Sequence, residues 1–112
     1  AYSLTIKPNG NASFGLNTEA SAVSSSSAVP LNGWHHVAGT YDRTAGVQKL
    51  FIDGTEVASE AYSGAISVNA LPLYIGRYHS DSRTFNGKLD EVRVYNRALT
   101  AAEISDLAAG ED

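Results

Sequence analysis

Residues 50–57 read LFIDGTEV, in which two short apolar, β-prone runs flank Asp53-Gly54. Because Asp and Gly accept the positive φ angles of a two-residue turn, this pattern is the strongest short hairpin signal in a sequence. Residues 33–42, GWHHVAGTYD, precede it and predict a strand over Trp34 to Tyr41. This central region is therefore predicted to be antiparallel sheet.

The N-terminal third continues the same kind of pattern. Residues 2–6, YSLTI, alternate apolar with polar side chains, and the turn-forming residues 8–11 lead into a second alternation over 13–17. These segments predict a hairpin. The segment 18–29 contains four serines at 24–27 and is predicted to be either a flexible loop or the tip of a second, polar hairpin.

Further short strands are predicted at 66–68, 73–75 and 89–95. About nine short strands with no helix between them favour an antiparallel sandwich over a β-α-β fold. The sequence after them differs in kind, since Thr100 and Glu103 are spaced as a capping box. With Gly110 as a stop, this predicts one short helix of about two turns.

The composition of the chain argues against several classes of partner and site. The 112 residues suffice for one domain, and eight basic against twelve acidic residues give a net charge of −4, which argues against a nucleic-acid partner. The chain has no cysteine, which excludes a disulfide scaffold and zinc–thiolate sites. No apolar run approaches the roughly 20 residues of a membrane helix, so no membrane insertion is expected.

Four motifs in a fixed order identify a family resemblance. They are GWHHVAGTYD (33–42), LFIDGTEV (50–57), PLYIGRY (72–78) and FNGKLDEVRVYNRALTAAEI (85–104). Together they closely resemble the laminin G-like family, concanavalin A-like jelly rolls related to the pentraxins. The resemblance implies an all-β fold: an antiparallel two-sheet jelly-roll sandwich with one short C-terminal helix, as a single domain over residues 1–112.

The chain departs from the family pattern before the first motif. Family members usually carry several more strands there, including an early one beside the C-terminal strand, whereas here only a hairpin and the serine-rich segment precede Trp34. We therefore expect an excised or shortened module with an exposed sheet edge or core face. Such surfaces favour association with another chain. We therefore predict a homo-oligomer, strand exchange or pairing with a separate N-terminal fragment.

The resemblance also implies a class of function. We expect a non-catalytic binding module of a larger exported or cell-surface protein, with carbohydrate or protein as its ligand. The alternative is a structural or assembly module that has no ligand and dimerises or pairs through exposed strand edges. A glycan-active enzyme is the third hypothesis. Fold alone does not dictate a ligand.

The adjacent histidines raise the question of a metal site. On a strand, neighbouring side chains point to opposite faces, so His35 and His36 are not expected to converge on one ion. We predict that both imidazoles lie in the wall of the sandwich and hydrogen-bond to neighbours.

The adjacent carboxylates raise the question of an enzyme. Retaining glycosidases need two carboxyl groups roughly 5–5.5 Å apart, whereas Asp90 and Glu91 on a strand face opposite ways unless a bulge intervenes. We predict that the pair is structural, bonded to backbone or to Arg93 and Arg97. Nucleophile-elbow and phosphate-loop motifs are absent from the sequence.

A polar loop after the third motif is the predicted binding site. Loops on a rigid scaffold are where binding residues collect, and tyrosine and histidine rings stack on sugars while arginine and aspartate bond the hydroxyl groups. The predicted ligand-binding residues are Arg77, Tyr78, His79, Asp81 and Arg83. The alternative is a solvated connector.

Calcium is the related hypothesis. In pentraxin-like relatives this loop supplies acidic calcium ligands, and Asp81 is its only carboxylate here, so Asp81 is the predicted metal ligand. Because calcium takes six to eight oxygens, further ligands would have to come from Asp42, from Asn69 or from outside the chain.

Overall fold

A computed structural model describes residues 2–16, 22–62, 75, 87–95 and 97–110. Their elements, in chain order, are β1 (Tyr2–Ile6), β2 (Asn11–Leu16), β3 (Val23–Ala28), β4 (Val37–Asp42), β5 (Val47–Ile52), β6 (Thr55–Ala61) and α1 (Ala101–Ala108). The strands form two antiparallel sheets, ordered β1-β2-β3 and β4-β5-β6. An all-β sandwich with one short C-terminal helix is thus confirmed.

The N-terminal hairpin forms as its pattern predicts. Gly10 adopts a φ of 90° in the turn, and its N–H donates to the carbonyl oxygen of Lys7 at 2.8 Å. The side chain of Asn9 accepts the N–H of Asn11 at 3.0 Å, a local bond that favours turning over a straight strand. Strands β1 and β2 then pair from Ile6↔Ala12 to Tyr2↔Leu16.

The serine run is neither a loop nor a hairpin tip, because residues 24–27 lie within β3. The β2–β3 register shifts between Asn11 and Ser13, which is a β-bulge. Ser25 compensates for the bulge: its Oγ accepts the buried N–H of Ala12 at 3.0 Å, and its carbonyl oxygen accepts from the Asn11 side chain at 2.9 Å. The sequence pattern did not predict this strand, because the Ser25 hydroxyl accepts the N–H of Ala12 in place of a backbone carbonyl oxygen.

The central hairpin confirms the Asp-Gly signal. Asp53 and Gly54 have φ angles of 52° and 82°, as a tight two-residue turn requires, and β5 and β6 pair on either side. The preceding strand starts later than predicted, at Val37, and Trp34 lies in an irregular segment with its side chain 67% exposed. Asn32, with a φ of 64°, turns the chain just before this segment.

The two sheets meet over a small core. Phe14 of β2 lies against Gly39 of β4, and a Cβ on that glycine would overlap the phenyl ring. The absence of a side chain at Gly39 therefore sets how closely the sheets approach. The buried cluster consists of Ala12, Phe14, Leu16, Val23 and Leu50.

The strand predicted at 89–95 is not observed, since residues 87–95 contain no strand. Glu91 adopts a positive φ of 53°, and the carboxylate of Asp90 accepts its N–H at 2.8 Å, which turns the backbone locally. The apolar side chains of this segment are 45–61% exposed; they are Leu89, Val92, Val94 and Tyr95. Of the predicted strands at 66–68 and 73–75, only Ile75 is among the described residues, and it is exposed.

Helix α1 confirms the capping box. The Thr100 hydroxyl accepts the N–H of Glu103 at 3.2 Å, while the Glu103 carboxylate accepts the N–H of Thr100 at 2.9 Å. Ile104 is the helix residue buried against the sheets, and Gly110, with a φ of 89°, follows the last turn. Both helix ends are therefore specified by local sequence.

Candidate functional site

The predicted ligand-binding loop lies outside the described residues. This holds for Arg77, Tyr78, His79, Asp81 and Arg83, and for Asn69 as a second source of calcium ligands. Asp42 is described: its Oδ1 accepts the N–H of Ala45 at 3.1 Å and so shapes the β4–β5 turn. The binding loop and its metal ligand stay predictions.

Asp53 joins the histidine pair to the central hairpin. Its Oδ2 lies 2.7 Å from Nδ1 of His35, and its Oδ1 accepts the backbone N–H of His36 at 3.0 Å. Its own N–H donates to the carbonyl oxygen of His36 at 2.7 Å. The turn residue of β5–β6 thus holds the segment that leads into β4.

This contact perturbs the Asp53 carboxyl group. The hydrogen bond with His35 is the largest cause that lowers the pKa of Asp53 below its ordinary value, and the N–H of His36 lowers it further, while burial opposes both. Since an ionised carboxylate only accepts hydrogen bonds, Nδ1 of His35 is the donor in this contact. The contact therefore orients the His35 ring against the β5–β6 turn.

The Nδ1 atoms of the two histidines have different surroundings. Nδ1 of His35 is engaged by Asp53, and Nδ1 of His36 is buried with no hydrogen-bond partner. Within the described ranges no group of three or more His, Asp or Glu side chains is arranged to hold an ion. The predicted hydrogen bonding is correct for His35 and wrong for Nδ1 of His36. Neither histidine lies in β4.

The other side of the same turn supports α1. A Cβ on Gly54 would lie 3.2 Å from both Ser105 Cα and Ala108 Cβ, so the helix rests on the turn backbone. Arg97 binds both carboxylate oxygens of Glu103, at 2.9 and 2.6 Å, which lowers the pKa of Glu103 to about 2. The Asp53–Gly54 turn is thus a structural joint between the helix, the β5–β6 hairpin and the segment that leads into β4.

The Asp90–Glu91 pair also has structural partners. Glu91 Oε2 accepts from Nη2 of Arg93 at 2.9 Å, and Asp90 bonds the backbone as described above. The predicted bond to Arg93 is confirmed. The predicted bond to Arg97 is wrong, because that guanidinium is engaged by Glu103.

Two surface features were not identified from the sequence. Leu31 and Trp34 are 85% and 67% exposed in the segment between β3 and β4, where turn residues such as Asn32 were the available signal. An open cleft of about 220 Å³ lies beside β3 and is lined by Ser25, Ser26, Ser27, Ala28, Ile52 and Val57. Its wall combines serine residues with aliphatic side chains.

The third surface is β1. Tyr2, Leu4 and Ile6 are 41–47% exposed although they share a sheet face with the buried residues of β2.

A membrane-spanning helix is not found in the part of the chain that the structure describes.

Comparisons with known proteins place these features in context. Residues 1–105 match a laminin G family profile described as the concanavalin A-like lectin/glucanases superfamily. A crystal structure of an S-layer domain-containing protein from Clostridium thermocellum (residues 221–444) is similar, with a TM-score of 0.61 and 26% sequence identity. The alignment covers 96% of this chain and 55% of that one, so the chain spans about half of its structural relative. No curated protein matches the sequence.

Proposed function

Because the chain belongs to the laminin G family of the concanavalin A-like superfamily, we propose that it is a non-catalytic binding module of an exported or cell-surface protein. Its ligand is a carbohydrate or another protein. The observation that carries this proposal is the likeness, over 96% of the chain, to part of an S-layer domain-containing protein. The extracellular location rests on the same likeness.

The described residues support the non-catalytic part of the proposal. The two carboxylates weighed for a glycan-cleaving enzyme have structural partners, since Glu91 pairs with Arg93 and Asp90 accepts the backbone N–H of Glu91. Hydrolysis of a polysaccharide by the protein, abolished by Glu91→Gln but retained in Glu60→Gln, would contradict this assignment.

The proposed ligand site is the loop that follows the third sequence motif. Tyr78 and His79 supply rings for stacking on a sugar, and Arg77, Asp81 and Arg83 supply hydrogen bonds to its hydroxyl groups. A glycan array tests the lectin function. Combined alanine substitution of Arg77, Tyr78 and His79 is expected to abolish a hit.

The matched control for that array is Arg43→Ala, in the exposed β4–β5 turn, which is expected to keep the binding. Binding that survives the triple substitution would move the site elsewhere, and Trp34→Ala would then test the exposed indole. An array without a hit would leave protein as the proposed ligand class.

Calcium-assisted binding through Asp81 is tested separately. Calorimetric titration with calcium is expected to give heat that Asp81→Asn removes and that the helix variant Asp106→Asn retains. Absence of binding at millimolar calcium would end the hypothesis, because weak extracellular calcium sites saturate in that range.

A second function, assembly through an exposed strand edge, is favoured by β1. Its apolar row is an extension of the core face that no described element covers.

A further inference from the structure

We infer that β1 is a self-association strand: two copies of the chain pair antiparallel through β1, with Leu4 at the two-fold axis. This inference rests on the proposed assembly function and names its surface and its partner. It joins the two β1-β2-β3 sheets into one continuous sheet.

The first observation is the state of the core face along sheet β1-β2-β3. Directly paired residues share a face, and Leu4 is paired with Phe14 while Tyr2 is paired with Leu16. Phe14 and Leu16 are buried, yet Leu4 and Tyr2 are 46% and 47% exposed. The apolar face therefore continues beyond the part that the second sheet covers.

The second observation is that β1 overhangs the sandwich. Sheet β1-β2-β3 packs on the other sheet through β2 and β3, and all five residues from Tyr2 to Ile6 are exposed. Among the described residues β1 has one hydrogen-bonded neighbour, β2. Its outer edge thus presents backbone groups and an apolar face together, which is the template for an added strand.

The third observation favours a second copy of the chain as the partner of β1. The order Tyr-Ser-Leu-Thr-Ile is symmetric in polarity about Leu4. Antiparallel pairing of two copies around Leu4 places Tyr2 opposite Ile6, Ser3 opposite Thr5 and Leu4 opposite Leu4. Apolar side chains then meet on one face and hydroxyl groups on the other, without any charge, so the strand is complementary to itself.

The other edge strands lack this property. In β6, pairing of two copies around Ala58 would place Glu56 opposite Glu60 on both sides of the axis, and like charges directly opposite are destabilising. Strand β4 ends in Asp42, and β3 is partly buried from Val23 to Ser25. Of the described edges, β1 alone is neutral, alternating and exposed along its whole length.

Sedimentation velocity over a concentration series tests the inference on the intact chain. A reversible dimer is expected, and Leu4→Lys, which brings two ammonium groups together at the axis, should weaken it roughly tenfold or more. The matched control is Val57→Lys, a similarly exposed aliphatic residue on edge strand β6, which should leave the dimer unchanged.

Cysteine cross-linking tests the register. Because the chain has no cysteine, Leu4→Cys places one thiol per copy at the axis, and mild oxidation should trap a covalent dimer. Val57→Cys should stay monomeric on a denaturing gel. Circular dichroism of each variant checks that it is folded.

Two outcomes would overturn the inference. They are a monomer at all concentrations, and a dimer that cross-links through Val57→Cys but not through Leu4→Cys. An empty glycan array would not affect these measurements, so failure of ligand binding and failure of self-pairing are distinguished.

Discussion

Each strand of the N-terminal hairpin carries a row of apolar side chains, but the row on β2 is buried and the row on β1 is exposed. Ala12, Phe14 and Leu16 on β2 are at most 8% exposed, whereas their direct neighbours on β1 are 41–47% exposed. Both rows point to the same side of the sheet. In the part of the chain that the structure describes, the second sheet packs mainly against β2 and β3.

The difference between β1 and β2 separates two properties of an alternating sequence: which side chains share a face, and whether that face is buried. Alternation determines which side chains share a face, because successive Cβ atoms point to opposite sides of the strand. Burial needs an opposing layer, and the hydrophobic contribution scales with the area removed from water. An apolar row without that layer is a surface for another chain.

The largest expected effect compares one leucine from each row. Leu16→Ala should lower the free energy of unfolding by about 3 kcal/mol, because it removes buried methyl groups and leaves a cavity. Leu4→Ala should cost less than about 1 kcal/mol in dilute protein, since the side chain is already half in water. Urea denaturation measures both, and equal losses would show that β1 is covered in solution.

The second-largest expected effect concerns the contact between Phe14 and Gly39, where the two sheets meet. Gly39→Ala should cost about 2 kcal/mol or more, because the added methyl group competes with the Phe14 ring for the same space. Gly33→Ala, whose methyl group meets only an ordinary 3.6 Å contact with His35, is the control. A neutral Gly39→Ala would mean that the two sheets lie farther apart.

A smaller effect tests the bulge in the covered sheet. Ser25→Ala should cost about 1–2 kcal/mol, because it leaves the buried N–H of Ala12 without an acceptor. Ser26→Ala, its exposed neighbour in the same strand, should be nearly neutral. The midpoint of urea unfolding reports both, and similar values would remove the assigned role of Ser25.

The smallest effect concerns the joint at the Asp53–Gly54 turn. The folded-state pKa of Asp53 lies below its ordinary 3.8, so its ionised form stabilises the fold above that pH. This contribution is lost as the pH falls through the lower folded value. Asp53→Asn should cost less than about 1 kcal/mol at pH 7, because the contact is exposed and screened.

A pH series of unfolding midpoints isolates that contribution. The difference between the protein and Asp53→Asn should shrink as the pH falls below about 4. The Arg97–Glu103 pair titrates equally in both proteins and cancels. The control is Asp106→Asn on the exposed face of α1, and a difference that stays constant with pH would contradict the assigned role of Asp53.

Local signals predicted the parts of the fold that depend on few residues. The Asp53-Gly54 turn and the Thr100–Glu103 capping box formed as expected, because their hydrogen bonds and backbone angles involve only near neighbours in sequence. The β1–β2 hairpin belongs to the same class. These elements needed no information about the opposing sheet.

Several predictions that depended on distant neighbours in the chain were wrong, although the two-sheet architecture was predicted correctly. Residues 89–95 carry a strand-like pattern, but no strand forms there, and the serine run became β3 because Ser25 completes the bonding of β2. The strand position assumed for the histidine pair was also wrong, because β4 begins at Val37, after both histidines. Asp53 engages His35 across the hairpin, a contact 18 residues apart that alternation does not contain.

The sequence by itself determined the turns, the helix ends, the family and the sidedness of each strand, because these follow from backbone angles and side-chain spacing within short segments. Only the tertiary structure decided which apolar row is buried, where β4 begins and which partner each charged side chain takes. Burial and pairing are properties of two surfaces in contact, and the second surface is specified elsewhere in the chain or in another copy of it.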